Sequence, residues 1–301
     1  MRRLLLMPAL GECAPLDPNS RPEHTDGLVR EDSTMKNLLS TKSALGALAT
    51  CAGILAAQPS VAEVKTELVD YQSDKTLEGY LAYDDSIKEK RPGIVVVHTR
   101  RGIQSFVQER TRELASLGYV ALAVDVYGKG IRPREDAPSA AESARLKNDR
   151  ALTRARVQAG YDVLRSLPQV DASQLAVIGY CVGGLVALEL ARSGAPLAAT
   201  AVFHGTLTTP TLQDAKNIKG RVLVMHGADD PTAPLSEVDA LIKEMRAARV
   251  DFQLELYGGV RHGYTQPLNG NDPTRSSMYN ERAAKQSWAS MQNLFNQVLR
   301  N

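Results

Sequence analysis

The chain has 301 residues, 43% of them hydrophobic and 23% charged, with a formal net charge of +2. That is ordinary globular composition. The near-neutral balance gives no electrostatic grip on nucleic acid or on a strongly charged partner.

In chain order, residues 1–34 are polar and contain prolines, apart from an opening Arg-Arg-Leu-Leu-Leu. Met35 then begins a better-formed leader. Lys36 and Lys42 supply a positive stretch, residues 44–57 are small and apolar, and Ser60-Val61-Ala62 fits a small-x-small cleavage site. The pattern predicts a leader region over 1–62, with a secretory signal peptide at 35–62 that is too short to span a membrane. Met35 is then the expected start, and the expected location is the periplasm or outside the cell. The alternative is a cytoplasmic protein with an N-terminal extension. A single α/β domain is expected over 63–301.

Within that domain, 64–71 and 76–83 read as a hairpin turning near Ser73-Asp74. The run at 93–98 is continuously apolar, as suits a strand covered on both faces. A helix over 106–117 ends at Gly118, and a strand follows at 119–125. Helical periodicity runs from 140 to 167 and stops at Pro168. Strands are expected at 175–179, 200–204, 221–226 and 252–257, with helices at 235–249 and 283–298. Alternating strands and helices argue for a mostly parallel sheet with helices on both faces.

The most informative motif is Gly179-Tyr180-Cys181-Val182-Gly183-Gly184, set between the apolar strand at 175–178 and an apolar helix from Leu185. Strand, Gly-x-nucleophile-x-Gly and helix make a nucleophile elbow. Its nucleophile position holds Cys181, at a helix N-terminus that favours a thiolate. Cys13 and Cys51 fall in the leader region, which leaves Cys181 as the one thiol of the expected domain. A cysteine nucleophile needs a base, and the base needs an orienting carboxylate. In an elbow fold these follow in the order nucleophile, acid, histidine. The loop after the 221–226 strand offers Asp229 and Asp230, with Asp230 preferred. The loop after the 252–257 strand offers His262 as base. His98, His204 and His226 sit at strand ends and read as braces for loop backbone, with His98 and His204 also candidates to line the pocket. The oxyanion hole is expected to use the N–H of Val182 and a second N–H from Thr99 or Arg100, with Thr99 preferred.

These segments, from about residue 93 to about 291, resemble the dienelactone hydrolase (carboxymethylenebutenolidase) family of the α/β-hydrolase fold. The resemblance rests on the Gly-x-Cys-x-Gly-Gly elbow together with 93–98, 117–128, Phe203-His204-Gly205, 226–234 and 257–264. It implies an α/β-hydrolase fold and a triad of Cys181, Asp230 and His262. It further implies a cofactor-free, metal-free opening of a small lactone or ester through a thioester intermediate. One departure stands out. Where family members commonly carry His-Glu at the end of the first parallel strand, this chain reads His98-Thr99, followed by Arg100 and Arg101. Loss of that carboxylate and gain of guanidinium groups predict a more readily ionised Cys181. They also make Arg100 and Arg101, with His98, candidate contacts for a substrate carboxylate. The expected partner is a small lactone or ester, met by a monomer without nucleic acid or a membrane span. A broader carboxylesterase or thioesterase, and a binding protein that keeps the fold without turnover, are the competing readings. The complete Cys, Asp and His set in order argues against the last.

Overall fold

The computed structural model describes residues 64–299, which belong to one compact unit. The leader expected over 1–62 lies outside the described residues.

The first two strands form a hairpin. β1 (Val64–Gln72) pairs antiparallel with β2 (Thr76–Asp84), the last rung joining Gln72 to Thr76. The turn at Ser73–Lys75 closes where expected. β3 (Arg91–Val97), β4 (Val120–Val124), β5 (Val170–Tyr180), β6 (Ala199–Phe203), β7 (Arg221–Gly227) and β8 (Phe252–Tyr257) complete an eight-stranded sheet of order β1-β2-β4-β3-β5-β6-β7-β8. β2 joins β4 antiparallel, and every pairing from β4 to β8 is parallel. Parallel neighbours need a crossover long enough to hold a helix, and the chain supplies one at each step in which a strand joins the sheet beside a parallel neighbour.

Helices α1 (Ser105–Ser116) and α6 (Glu281–Val298) cover one face; α3 (Arg150–Ser166), α4 (Val182–Arg192) and α5 (Leu235–Ala248) cover the other. The alternation of β3 shows why both faces need cover. Ile94 and Val96 pack against Val107 and Leu114 of α1 and Phe295 of α6, while Val95 and Val97 pack against Tyr161 and Leu164 of α3 and Leu185 of α4. A third apolar cluster places Val238, Leu241 and Met245 of α5 on Val222 and Val224 of β7. α4 is buried along its whole length.

Two elements differ from the sequence reading. The helix expected over 140–167 is two helices, α2 (Asp136–Asn148) and α3, broken at Asp149. Asp149 leaves helical geometry at φ −120°, ψ 89°, and its carboxylate accepts the N–H of Leu152, capping α3. A side chain that caps a new helix competes with continuing the old one. α2 also starts earlier than expected, because Pro138 falls in its first turn, where its missing N–H costs nothing. β5 begins at Val170, five residues before the expected start, and absorbs the polar Asp171–Gln174 stretch through a register shift opposite Pro92/Gly93.

Buried charge is used as mortar. Arg156, fully buried on α3, makes paired 2.7 Å hydrogen bonds to Asp74 in the hairpin turn and donates to the carbonyls of Val126 and Tyr127. Arg192 at the end of α4 bonds Glu244 of α5 twice at 2.8 Å and Glu189 at 3.2 Å. These contacts lock α3 to the sheet edge and α4 to α5, the layer on which the elbow rests.

Candidate active site

The elbow forms at the end of β5. Cys181 has φ 58° and ψ −123°, a region an L-residue adopts only under constraint, and it is the N-cap of α4. The constraint is visible. Its N–H donates to the Phe203 carbonyl of β6, and its own carbonyl accepts from Gly184 and Thr206. The flanking glycines are required by close approach of backbone. A Cβ at Gly179 would stand 2.1 Å from the Gly183 carbonyl oxygen, and one at Gly183 would stand 2.5 Å from the His98 carbonyl oxygen.

His262 follows β8 on a loop whose backbone is pinned to Ser277 and Met278. Its Nδ1 donates to Asp230 Oδ2 at 2.7 Å, with both side chains buried. The other oxygen of Asp230 accepts the N–H groups of Thr232 at 2.8 Å and Ala233 at 3.0 Å, which hold the carboxylate in line. Asp229 is exposed, so Asp230 is the acid that faces the histidine. The Nε2 of His262 is buried without an aligned hydrogen-bond partner. It nevertheless stands close enough to Cys181 for each to shift the other's ionisation. Catalytic contacts are often this loose before a substrate arrives.

The electrostatics of the three groups agree. Burial works against ionising the Cys181 thiol, but the nearby His262, with the N–H groups of Val182 and Arg100, brings its pKa below the ordinary thiol value. Burial likewise opposes the charged form of His262, yet Cys181 and Asp230 raise it to about 10. Asp230 is held below the usual carboxylate range, His262 outweighing the cost of burial. A thiol shifted down beside an imidazole shifted up moves the pair toward its thiolate–imidazolium form.

The site opens into a cavity of about 290 Å³ lined by Cys181, His262, Thr99, Arg100, Arg101, Asp136, Gln266, Asn269 and the Arg275–Ser277 segment. The expected residues sort as follows. Of the two oxyanion candidates on the β3 loop, Arg100 presents its N–H to the sulfur. Thr99 enters the cavity wall, and its hydroxyl accepts the Arg101 N–H at 3.3 Å. His98 does not line the cavity: it is fully buried, its Nδ1 donates to the Thr99 carbonyl at 2.7 Å, and its Nε2 faces the Val126 N–H at 3.4 Å. Burial lowers its pKa to about 4, so it is a neutral brace for the loop after β3. Arg100 and Arg101 do line the cavity, but neither is free. Both bond Asp136 Oδ1 at 2.7 Å. The lowering of the Cys181 thiol comes from His262 and two backbone N–H groups, not from the guanidinium groups of Arg100 and Arg101.

Sequence reading missed Asp136, which lies at the start of α2 some distance along the chain from both arginines, and missed the wall formed by Gln266, Asn269 and Arg275. No local spacing signals either. His204 and His226 are buried beside the site. The His204 ring meets the His262 ring edge-on at 5.2 Å and bonds the Thr265 hydroxyl at 2.8 Å, while His226 Nε2 donates to the Ala233 carbonyl at 2.7 Å. Among the described residues no group of His, Cys, Asp or Glu could hold a metal ion, and no helix is long and apolar enough to cross a membrane.

An eight-stranded sheet with an elbow at the end of β5, and an acid and a histidine on the loops after β7 and β8, define an α/β hydrolase. The chain belongs to the dienelactone hydrolase family, whose model matches residues 77–299. It is similar to a Synechocystis protein named "Putative carboxymethylenebutenolidase", 24% identical over 79% of this chain and 99% of the relative. Among solved structures it resembles one titled "m3DLH" (39% identity, TM-score 0.76) and a dienelactone hydrolase-like promiscuous phosphotriesterase, P91, from metagenomic libraries (37% identity, TM-score 0.75). Each comparison covers 79% of this chain and 99% of the other. The chain is accordingly a carboxylic ester hydrolase of the lactone- or ester-opening kind.

Proposed function

We propose that this hydrolase works through a Cys181–His262–Asp230 triad on a small lactone or ester. The observation that carries the reading is the strained Cys181 at the elbow, with the N–H groups of Val182 and Arg100 beside its sulfur and a His262–Asp230 pair at its side. The Cys181 thiolate adds to the ester carbonyl carbon, and the oxyanion that develops is received by the two N–H groups. Collapse breaks the acyl C–O bond, and the alkoxide or enolate leaves with the proton of His262 Nε2. The thioester is then attacked by water, which gives a proton to His262. The second collapse releases the acid and restores the thiolate–imidazolium pair. Asp230 keeps the Nδ1 proton in place and stabilises the imidazolium throughout.

The test is hydrolysis by the full chain of an unsaturated lactone, a simple aryl ester and a thioester, beside Cys181→Ala. An aryl phosphotriester belongs in the same panel because of the P91 neighbour. Turnover in the parent and loss of at least about a thousandfold in Cys181→Ala are expected, as for removal of a covalent nucleophile. Turnover that survives in Cys181→Ala refutes the triad. Export through the leader is a separate part of the proposal. N-terminal sequencing of protein recovered from the cell envelope or medium is expected to begin near Glu63, and a mature end upstream of Met35 refutes it.

A further inference from the structure

The two arginines that sequence reading assigned to a substrate carboxylate already hold one. Arg100 and Arg101 converge on a single oxygen, Asp136 Oδ1, at 2.7 Å each, inside the cavity that contains Cys181 and His262. Asp136 is the only carboxylate on that cavity wall, whereas three guanidinium groups line it. The third, Arg275, makes no ion pair among the described residues, and Asp272, the carboxylate that its charge helps to hold down, is not on the wall. With the Cys181–His262 pair internally neutral, the wall carries excess positive charge and one internal anion.

The attachment of that anion is weak. The Asp136 side chain is 74% exposed, and the arginines are 42% and 30% exposed, so solvent screens the pairs. α2, which carries Asp136 in its first turn, buries only Ser139 and Leu146. Beyond the two ion pairs, the segment before it is held to the site by a hydrogen bond from Arg101 to the Arg134 carbonyl. A carboxylate on an incoming molecule therefore exchanges one exposed partner of the arginines for another, with little lost.

We propose that Asp136 is an internal competitor that sets the selectivity of this site between neutral and carboxylate-bearing substrates. The proposal rests on the Cys181 mechanism above. When a neutral acyl group enters, Asp136 stays on Arg100 and Arg101, and the cavity is closed on that side. When the acyl group carries a carboxylate, it displaces Asp136, and the forked donors of the two arginines hold it beside the thiolate. Removing the Asp136 charge should favour anionic molecules at Cys181 selectively, and removing the arginines should do the reverse.

A matched pair of thiol reagents tests this without knowledge of the substrate. Iodoacetate and iodoacetamide both transfer a carbon to the thiolate with loss of iodide, and they differ in one negative charge. Their rates at Cys181 are measured by mass spectrometry of the Cys181 peptide in the full chain, in Asp136→Asn and in the Arg100→Gln/Arg101→Gln double variant. The iodoacetate-to-iodoacetamide ratio is expected to rise about threefold or more in Asp136→Asn, about the effect of removing one charge a few ångströms away in a largely aqueous medium. It is expected to fall by a similar factor in the double variant. A ratio in Asp136→Asn within about twofold of the parent overturns the proposal while leaving the triad standing. Asp136→Ser, which keeps a residue suited to a helix start, repeats the test if Asp136→Asn does not fold. A parent whose Cys181 is inert to iodoacetamide sinks the triad, and the proposal with it. The same ratio read as kcat/KM for an aryl ester and its carboxylate-bearing counterpart extends the result to turnover.

Discussion

Replacing Asp230 with Asn removes a charge from the best-enclosed contact in the site while leaving its shape. The carboxylate is fully buried, accepts the His262 Nδ1 proton at 2.7 Å, and is fixed by the N–H groups of Thr232 and Ala233. A hydrogen bond to a charged group contributes about 1.5–3 kcal/mol, or roughly 10- to 150-fold in rate. An amide in that place can also turn the imidazole to the wrong tautomer, a fault that costs up to about 10⁴ in triads of this design. The expected loss in kcat/KM is thus about 10²- to 10⁴-fold. The pH profile should change with it. In the proposed mechanism activity needs thiolate and imidazolium together, so it is expected to appear as pH rises through the depressed Cys181 pKa and to disappear as pH rises through the His262 pKa of about 10. Without the Asp230 charge the imidazolium is less stable, so the upper limb moves down. The thiolate loses part of its counter-charge, so the lower limb moves up. The assay is kcat/KM for an aryl ester against pH, paired with an ultraviolet titration of the thiolate referenced to Cys181→Ala. A loss under about threefold with both limbs unmoved would refute the role given to Asp230.

Two further changes probe the frame that holds the site. Gly183→Ala places a methyl group 2.5 Å from the His98 carbonyl oxygen and 2.6 Å from that of Val97, both backbone of the strand end that carries the oxyanion loop. Neither atom can rotate aside, so a cost of about 3 kcal/mol is expected, read by calorimetry as a melting point lower by roughly 6–12 °C; an unchanged melting point would contradict the packing described. Arg192→Leu leaves Glu244 buried without its cation and Glu189 with Arg154 alone. A loss of about 3–5 kcal/mol is expected, and a urea midpoint that barely moves would show that the network contributes little.

Much of this protein follows from short-range rules. All eight strands announce themselves by apolar runs or alternation, and the hairpin by its turn. The elbow is legible because a strand, two closely spaced glycines, a nucleophile and a helix start are consecutive. Asp230 and His262 are legible because each lies in the loop directly after a strand whose end faces the same side of the sheet. Where local signals compete, the reading falters. The helical periodicity at 140–167 runs through Asp149 without interruption, and only the capping of Leu152 shows that a second helix begins there. The polar stretch 171–174 hides the start of β5, because pairing with Arg91 and Pro92, not composition, makes it a strand.

The sequence by itself thus determined the fold class and the strand-end loops on which Cys181, Asp230 and His262 stand, since each is written within a few residues of a strand end. It could not determine what Arg100 and Arg101 pair with, whether His98 faces the cavity or backbone, or which N–H of the loop after β3 faces the Cys181 sulfur. Those depend on where α2 and the loop after β8 come to rest over the elbow. Asp136 meets the two arginines only because the chain between them crosses the sheet and returns, and no periodicity or spacing along the chain encodes that meeting. Tertiary packing decided it, by bringing the start of α2 to the wall of the cavity.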